Sequence, residues 1–369
     1  MWRQILALIV KELLVILKDP KSRLVLIGPP LMQLLVFGYA ATFDLDHVPI
    51  AIYNQDHSAA SRDLVARFAG SPSFKLAAML DSTMRIEELI DSRQVMLVLV
   101  IDPRFSRELA LHRPGPVQLI TDGRNSNTAL IALGYANTII SDFSLAWLAS
   151  HGEPSPPALL DMRARYNPAL VSRWFIIPGV VLILTQLVTL VVIGMSVARE
   201  REVGTFDQLL VTPMRQIDIL LGKGLPGLMI GISEATIGII AASWWFEIPL
   251  RGSLAPLYLG LMLFVIAITG IGLMISSLST TQQQALLGAF LFMVPSVILS
   301  GFATPVSNMP ALIQDLTLLN PMRYGLIVVR GVFLEAADAS LLWPQYWPMA
   351  LIGAVNLLVA GWLFRKRSV

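Results

Sequence analysis

WFIIPGVVLILTQLVTLVVIGMSVAREREVGTFDQLLVTP, residues 174 to 213, opens with 25 residues that carry no charge, and then alternates in sign through Arg199, Glu200, Arg201 and Glu202. An apolar run of that length is enough for one helical crossing of a bilayer, for which about 20 residues suffice. Five further runs of the same kind lie at 24–43, 224–246, 255–277, 285–303 and 345–364. The composition agrees: 55% hydrophobic residues, 14% charged and a mean hydropathy of +0.68 describe a membrane chain, since soluble domains carry about 25% charged residues. Six crossings use roughly 120 residues, far fewer than the 369 present. A sizeable part must therefore lie outside the membrane. A formal charge of +2 and the lack of cysteine argue against nucleic-acid binding, disulfides, thiolate metal sites and cysteine nucleophiles.

The sequence thus reads as an α-helical polytopic membrane protein with six transmembrane helices, an N-terminal interfacial helix and an inserted α/β extracytoplasmic domain. Residues 1–23 form the interfacial helix, because Gln4, Lys11 and Lys18 recur at seven-residue spacing, with Arg3, Glu12 and Asp19 beside them, on an otherwise apolar segment. A secretory signal is the weaker reading, since the amphipathic stretch is too long for an n-region. Residues 24–43 are the first span, with Gln33 as its one buried-type polar side chain and a kink expected at Pro29 and Pro30. Residues 44–173 hold 12 of the 27 basic residues, 14 of the 25 acidic ones and all four histidines. There the β-type runs VPIAIYN, FKLAAML, VMLVLVI and VQLIT alternate with helical stretches, the pattern of an α/β unit. Residues 174–369 supply five more spans, with a short amphipathic cytoplasmic helix at 199–213 that Thr205 caps and whose apolar face is Phe206, Leu209 and Leu210. Pro305, Pro310 and Pro321 cut 304–344 into pieces too short to cross, which fit outer re-entrant or interfacial helices.

Orientation follows from Lys and Arg in the short flanks. One side carries 12 (Arg3, Lys11, Lys18, Lys21, Arg23, Arg199, Arg201, Arg215, Lys223, Arg365, Lys366, Arg367) and the other only Arg251, Arg323 and Arg330. Both termini are therefore expected in the cytoplasm of a bacterial inner-membrane protein, with 44–173 outside.

No phosphate-binding loop is present: LLGKGL at 220–225 lacks the earlier glycine and the following Ser or Thr. The four histidines have no metal-ligand spacing, and there is no nucleophile elbow. No catalytic site and no metal are expected. Glu234 stands out instead, since a charge at the centre of a span costs about 2.5–3.5 kcal/mol on insertion scales. It lies beside the small residues Gly224, Gly227, Gly231, Ala235 and Gly238, so it either fixes helix packing or lines a substrate route. Gln33 and Gln186 are weaker candidates for the same two roles. Asn320, Arg323, Tyr324 and Arg330 either form an outer gate or cap re-entrant helices.

Three stretches together resemble an ABC transporter permease of the type-2 exporter class, in the drug-efflux-like subgroup with a large extracytoplasmic domain between the first two spans: KELLVILKDPKSRLVLIGPP, ARERE-GTFDQLLVTP with a downstream GK, and LNPMRYGLIVVRGVFL at 319–334. The resemblance covers the whole chain. It implies a permease subunit that binds no cofactor itself, energised by a separate ATPase subunit that binds ATP and Mg. It also implies a homodimer, or a heterodimer with a related permease, and in a Gram-negative cell a periplasmic adaptor and outer-membrane channel. Contacts with membrane lipid are expected and none with nucleic acid. The coupling role falls by the resemblance on Glu200, Glu202, Gly204, Thr205, Phe206, Gln208, Leu209, Leu210 and Pro213, with Lys11, Glu12, Lys18 and Asp19 from the interfacial helix. Multidrug or amphipathic-compound efflux is the activity implied. Two other classes compete: a proton-coupled secondary transporter using Glu234, disfavoured by the lack of a second intramembrane acid and of inverted repeats, and a non-transporting receptor or assembly scaffold.

Overall fold

A computed structural model describes residues 2–18, 20–39, 45–152, 165–168, 171–206, 208 and 215–367. The chain forms two compact units, one of residues 43–163 and one of residues 1–42 with 164–369.

The smaller unit is α/β. Its strands β1 (Val48–Asn54), β2 (Phe74–Met79), β3 (Leu97–Ile101) and β4 (Val117–Thr121) form one sheet in the order β2-β1-β3-β4. β1 runs parallel to both β2 and β3, while β4 is antiparallel to β3. Ile50, Ala51 and Ile52 of β1 and Leu97, Val98 and Leu99 of β3 are wholly buried, as expected for central strands covered on both faces. On one face Ile50, Ile52, Leu97 and Leu99 pack with Leu64 and Phe68 of α3 (Ala59–Ala69), Phe105 of α5 (Phe105–Ala110) and Ala132, Ala136 and Phe143 of α6 (Ser126–Ser150). On the other, Ala51 and Val98 meet Ile86 and Leu89 of α4 (Met84–Asp91). Thr128–Ser150 of α6 is also long and apolar enough to cross a membrane.

The larger unit is helical. α1 (Trp2–Lys18) and α2 (Pro20–Tyr39) open it, and α7 (Ser172–Val203) follows the α/β unit. Next come α8 (Gln216–Ile240), α9 (Leu254–Leu278) and α10 (Gln282–Ile298), and last α11 (Ala311–Thr317), α12 (Pro321–Glu335) and α13 (Ala339–Arg367). α7 is the hub, with nearly every side chain from Ile176 to Ala198 buried against α2, α8, α9, α10 and α12. A helix that is apolar all round, as this one is, belongs in the middle of a bundle. α8 approaches it closely because its glycines leave no bulk in the way: a Cβ at Gly227 would lie 2.1 Å from Ile193, at Gly231 2.3 Å from Thr189 and at Gly238 2.7 Å from Val181.

Four helices of this unit, at 172–203, 216–245, 254–278 and 339–366, are long and apolar enough to span. The apolar parts of α2 (Leu26–Tyr39) and α10 (Gln282–Ile298) are shorter. The run expected at 285–303 stops early because Leu299 and Ser300 lead into Gly301, whose φ of +88° turns the chain. Pro29 and Pro30 sit inside a helix that continues through them to Tyr39. The 304–344 stretch is broken into a 3-10 turn (Val306–Asn308), α11 and α12, each preceded or begun by one of the three prolines.

Candidate functional site

The charged end of α7 differs from the sequence reading. No separate helix starts at 199: α7 continues without a break to Val203, since nothing from Met195 to Val203 disfavours helix. Gly204 then stops it in the left-handed region, φ +78°, with its N–H donating to the Arg201 carbonyl. The Thr205 hydroxyl donates back to the Glu200 carbonyl at 3.4 Å, and after this break at Gly204 and Thr205 the chain is helical again at Phe206 and Gln208. Phe206 is buried too, edge-on to Phe364 at 5.9 Å between ring centroids and packed with Val197 and Ile219. It is therefore an internal anchor and not part of an outward apolar face, while Gln208 is exposed. Leu209, Leu210, Pro213 and Asp19 lie outside the described residues.

Around that helix end the structure gathers an ion cluster. The α1 residues Ile5, Leu8, Glu12 and Ile16 recur at three- and four-residue steps and form its buried face. This face rests on α8, where Gly222 makes room: a Cβ there would lie 2.4 Å from the Leu8 side chain. The next residue, Lys223, is wholly buried at its side chain and donates to Glu12 Oε1 at 3.0 Å and to the Ser196 carbonyl at 3.3 Å. It also lies 3.2 Å from Glu200 Oε1. Lys11 reaches the same Glu200 oxygen at 2.7 Å, and the Ser196 hydroxyl donates to Glu12 Oε2 at 3.2 Å. Two ammonium groups thus neutralise two carboxylates where α1, α7 and α8 meet. Glu200 sits in the last turn of α7, where the helix dipole disfavours an anion, and the two lysines offset that. Removing one partner from such a buried set costs about 3–5 kcal/mol, because an uncompensated charge is left behind.

The same helix end fixes two neighbours. Arg201 Nη1 donates to the carbonyls of Ser277 and Ser279 at 2.7 and 3.2 Å, capping α9, and its guanidinium covers the Phe206 ring at 4.8 Å. Glu202 Oε2 accepts from the Gln282 backbone N–H at 2.9 Å and from its side chain at 3.1 Å, placing an anion at the start of α10. Lys18 is exposed at the end of α1. Sequence reasoning alone misses Lys223, Ser196, Arg201 and Gln282, whose partners lie far away in the chain. The GK dipeptide was the one signal for Lys223.

Beside the cluster, α1, α2, α7 and α10 enclose a cavity of about 580 Å³. Its wall is mostly apolar, with Glu12, Gln33, Ser196, Arg199 and Gln282 as the polar exceptions. Gln186 does not reach it: wholly buried in α7, it accepts a long 3.5 Å hydrogen bond from Ser296. Glu234 is half-buried on α8, and its carboxylate has no hydrogen-bond or ion-pair partner among the described residues.

The other polar group splits. Asn320 caps α12 by accepting from the Met322 N–H at 3.1 Å and bridges to α10 through Ser296, accepting at 2.8 Å and donating at 2.7 Å. Tyr324 donates to the Leu318 carbonyl at 2.9 Å, and Arg323 donates to Thr317 and, at 3.4 Å, to the Gln314 carbonyl. These three brace the turn between α11 and α12. Arg330 stacks 3.5 Å from the centre of the Phe175 ring, with Phe302 at 5.7 Å.

The helical unit is thus a bundle around one central apolar helix, with α1 ion-paired to the charged end of that helix. Residues 23–362 match the family described as ABC-2 family transporter protein, and the chain belongs to that family. It is 38% identical over 367 residues to the probable multidrug ABC transporter permease YbhR of Escherichia coli (strain K12), covering 100% of each chain. It is 32% identical to the probable multidrug ABC transporter permease YbhS of the same organism, over 100% of this chain and 98% of that one. The linearmycin resistance permease protein LnrN of Bacillus subtilis (strain 168) is 22% identical over 92% of this chain and 93% of its own. The protein is thus a multi-pass membrane permease subunit of an ABC exporter, and its family implies an ATPase in a partner chain and a dimeric arrangement. That replaces the proton-coupled and receptor readings.

Proposed function

We propose that this permease exports drug-like amphipathic compounds, and that α1 and the segment after α7 pass the movement of ATP-bound partner subunits into the bundle. The observation that carries the reading is the Lys11, Glu12, Glu200 and Lys223 cluster, which joins the interfacial helix, the hub helix and the start of α8 into one body. A force applied to α1 or to the residues after Gly204 is thereby delivered to α7 and α8 together. The coupling set is then Lys11, Glu12, Lys18 and Asp19 with Glu200, Glu202, Gly204, Thr205, Phe206, Gln208, Leu209, Leu210 and Pro213. Within it Glu12, Glu200 and Phe206 hold the element in place, and exposed side chains such as Gln208 meet the ATPase. ATP and Mg reside in that partner.

Coupling of this kind requires the element to make different contacts in two states. Six spans with both termini in the cytoplasm and 44–173 outside put it on the ATPase side. The cavity beside Gln33 suits an amphipathic compound, being apolar with a few polar groups for orientation, and the names of YbhR, YbhS and LnrN favour such substrates. The subunit pairs with itself or with a related permease, and the α/β unit serves an adaptor and outer-membrane channel. Lys18→Glu and Gln208→Trp alter exposed members of that set without touching the cluster. Each should leave the protein in the membrane while lowering ATP-driven export from inverted vesicles and retention of the ATPase on purification. Full export by both would overturn the coupling assignment.

A further inference from the structure

The α/β unit carries a cleft at the point where its strand order turns. In the order β2-β1-β3-β4 the connection leaving β1 runs to β2, and the one leaving β3 runs the opposite way, to β4. Open α/β sheets bind ligands just outside the carboxyl ends of two such strands, which here are Asn54 and Ile101. The two loops that leave them are tied together, because Asp56 accepts from the Ser106 backbone N–H at 3.2 Å and from its hydroxyl at 2.5 Å. Two cavities lie beside these loops. One, of about 360 Å³, has an apolar wall built mainly from Leu64 of α3, Phe105 and Leu109 of α5, and Ile140, Phe143 and Trp147 of α6. The other, of about 760 Å³, is more open and brings in the polar side chains of Ser58, Asp63, Arg67, Ser106, Ser150 and His151. Leu109, His112 and Trp147 line both, so the two are the apolar and the polar end of one cleft.

Charge decides what such a cleft accepts. Arg67 Nε donates to Asp63 at 3.2 Å, and Arg113, on the wall of the apolar end, lies 3.9 Å from Glu108. Each arginine of the wall is thus answered by a carboxylate. An ion entering would give up its hydration without gaining a counter-charge, whereas hydroxyl groups can exchange hydrogen bonds with the serines. At the apolar end the rings of Phe105, Phe143 and Trp147 suit an alkyl or aromatic tail. The Arg67 guanidinium lies 5.6 Å from the centre of the Phe143 ring, and His151 stacks on Trp147 at 4.2 Å, so these two polar side chains mark where tail gives way to headgroup. The volumes lie in the range of small-molecule sites, about 300–1,000 Å³.

We infer that the cleft between α3, α5 and α6 binds one uncharged amphipathic molecule, its tail among Phe105, Phe143 and Trp147 and its headgroup beside Ser58 and Arg67. The site belongs to the α/β unit and requires neither the ATPase nor export.

Photolabelling of the full-length chain in lipid nanodiscs tests it, with an octyl glucoside that carries a diazirine in its tail and with the labelled peptides mapped by mass spectrometry. Label is expected on α5 and on residues 140–148, and unlabelled octyl glucoside should compete for it better than octyl sulfate or octyltrimethylammonium at the same concentration. Ser144→Trp and Ala146→Trp place a ring at exposed positions that line the apolar and the polar end. Each should lower the label there by about tenfold while label on the helical unit and the circular dichroism spectrum stay as in the parent. Absence of label from α5 and α6, label that persists in both tryptophan variants, or equal competition by the two charged amphiphiles would overturn the site.

Discussion

Lys223 is the residue on which the charged end of the bundle turns. Its ammonium is shielded from water and lies within 3.2 Å of two carboxylates on two other helices, so Lys223→Met leaves Glu12 and Glu200 facing each other with only the half-exposed Lys11 to offset them. A loss of about 3–5 kcal/mol is expected, seen as a lower midpoint in thermal unfolding followed by tryptophan fluorescence in detergent. Adding Glu12→Gln should recover part of it, because the two sites share one network. If the double variant lost the sum of the two single effects, the direct pairing would be refuted. The neighbouring Gly222 is tested by size: Gly222→Val drives a branched side chain into Leu8, which already stands 2.4 Å from the position of a Cβ. It should cost about 1–3 kcal/mol and make α1 more susceptible to limited proteolysis, and Leu8→Ala should relieve both.

At the scale of elements, the four strands and their helices were legible because alternation of short, mostly apolar β-type runs with helical stretches needs no long-range information. The trimming of VMLVLVI to Leu97–Ile101 is a matter of ends alone. The continuation of α7 to Val203 was misread because alternating charges look like a loop helix, although nothing in Arg199 to Val203 breaks a helix. The ion cluster was beyond reach: Lys223 and Glu12 stand 211 residues apart, and a single sequence pairs nothing over that distance. Phe206 shows the same limit, since an apolar residue on an amphipathic segment announces that something covers it without saying what. Within the α/β unit, the turn after β4 gives a pH test. Arg124 hydrogen-bonds the Asp122 carboxylate through its side chain and its backbone N–H while also donating to the carbonyls of Ile90 and Asp91, which ties β4 to the end of α4. Those bonds hold the Asp122 carboxyl down at about 2. An unfolded aspartate titrates near about 3.9, so the ionised form contributes stability that is complete above that value and is lost as pH falls towards about 2. Asp122→Asn should flatten the acid limb of the unfolding curve in that window and leave neutral-pH secondary structure, by circular dichroism, unchanged. An acid limb identical to that of the parent would refute the tie.

For the whole molecule, the decisive question is which unit faces which side of the membrane, and the reasoning rests on charge. With the six crossings proposed above, twelve Lys and Arg residues fall in the short flanks of one side against three on the other, and such an excess sets orientation during insertion whereas long domains translocate largely regardless of their own charge. The α/β unit, with its mixed charges, exerts little pull. The chain has no cysteine, so single cysteines report without background. Met84→Cys lies at an 86% exposed position of the α/β unit and Val203→Cys at a 68% exposed position at the end of α7. With a membrane-impermeant maleimide on spheroplasts, Met84→Cys should label at once and Val203→Cys only after the membrane is broken. The reverse pattern would turn the molecule over, leaving the ion cluster and the residues after Gly204 out of an ATPase's reach. Labelling of both in intact spheroplasts would show instead an even number of crossings between the two positions, either none or one each by α7 and by Thr128–Ser150 of α6, which is also long and apolar enough to span.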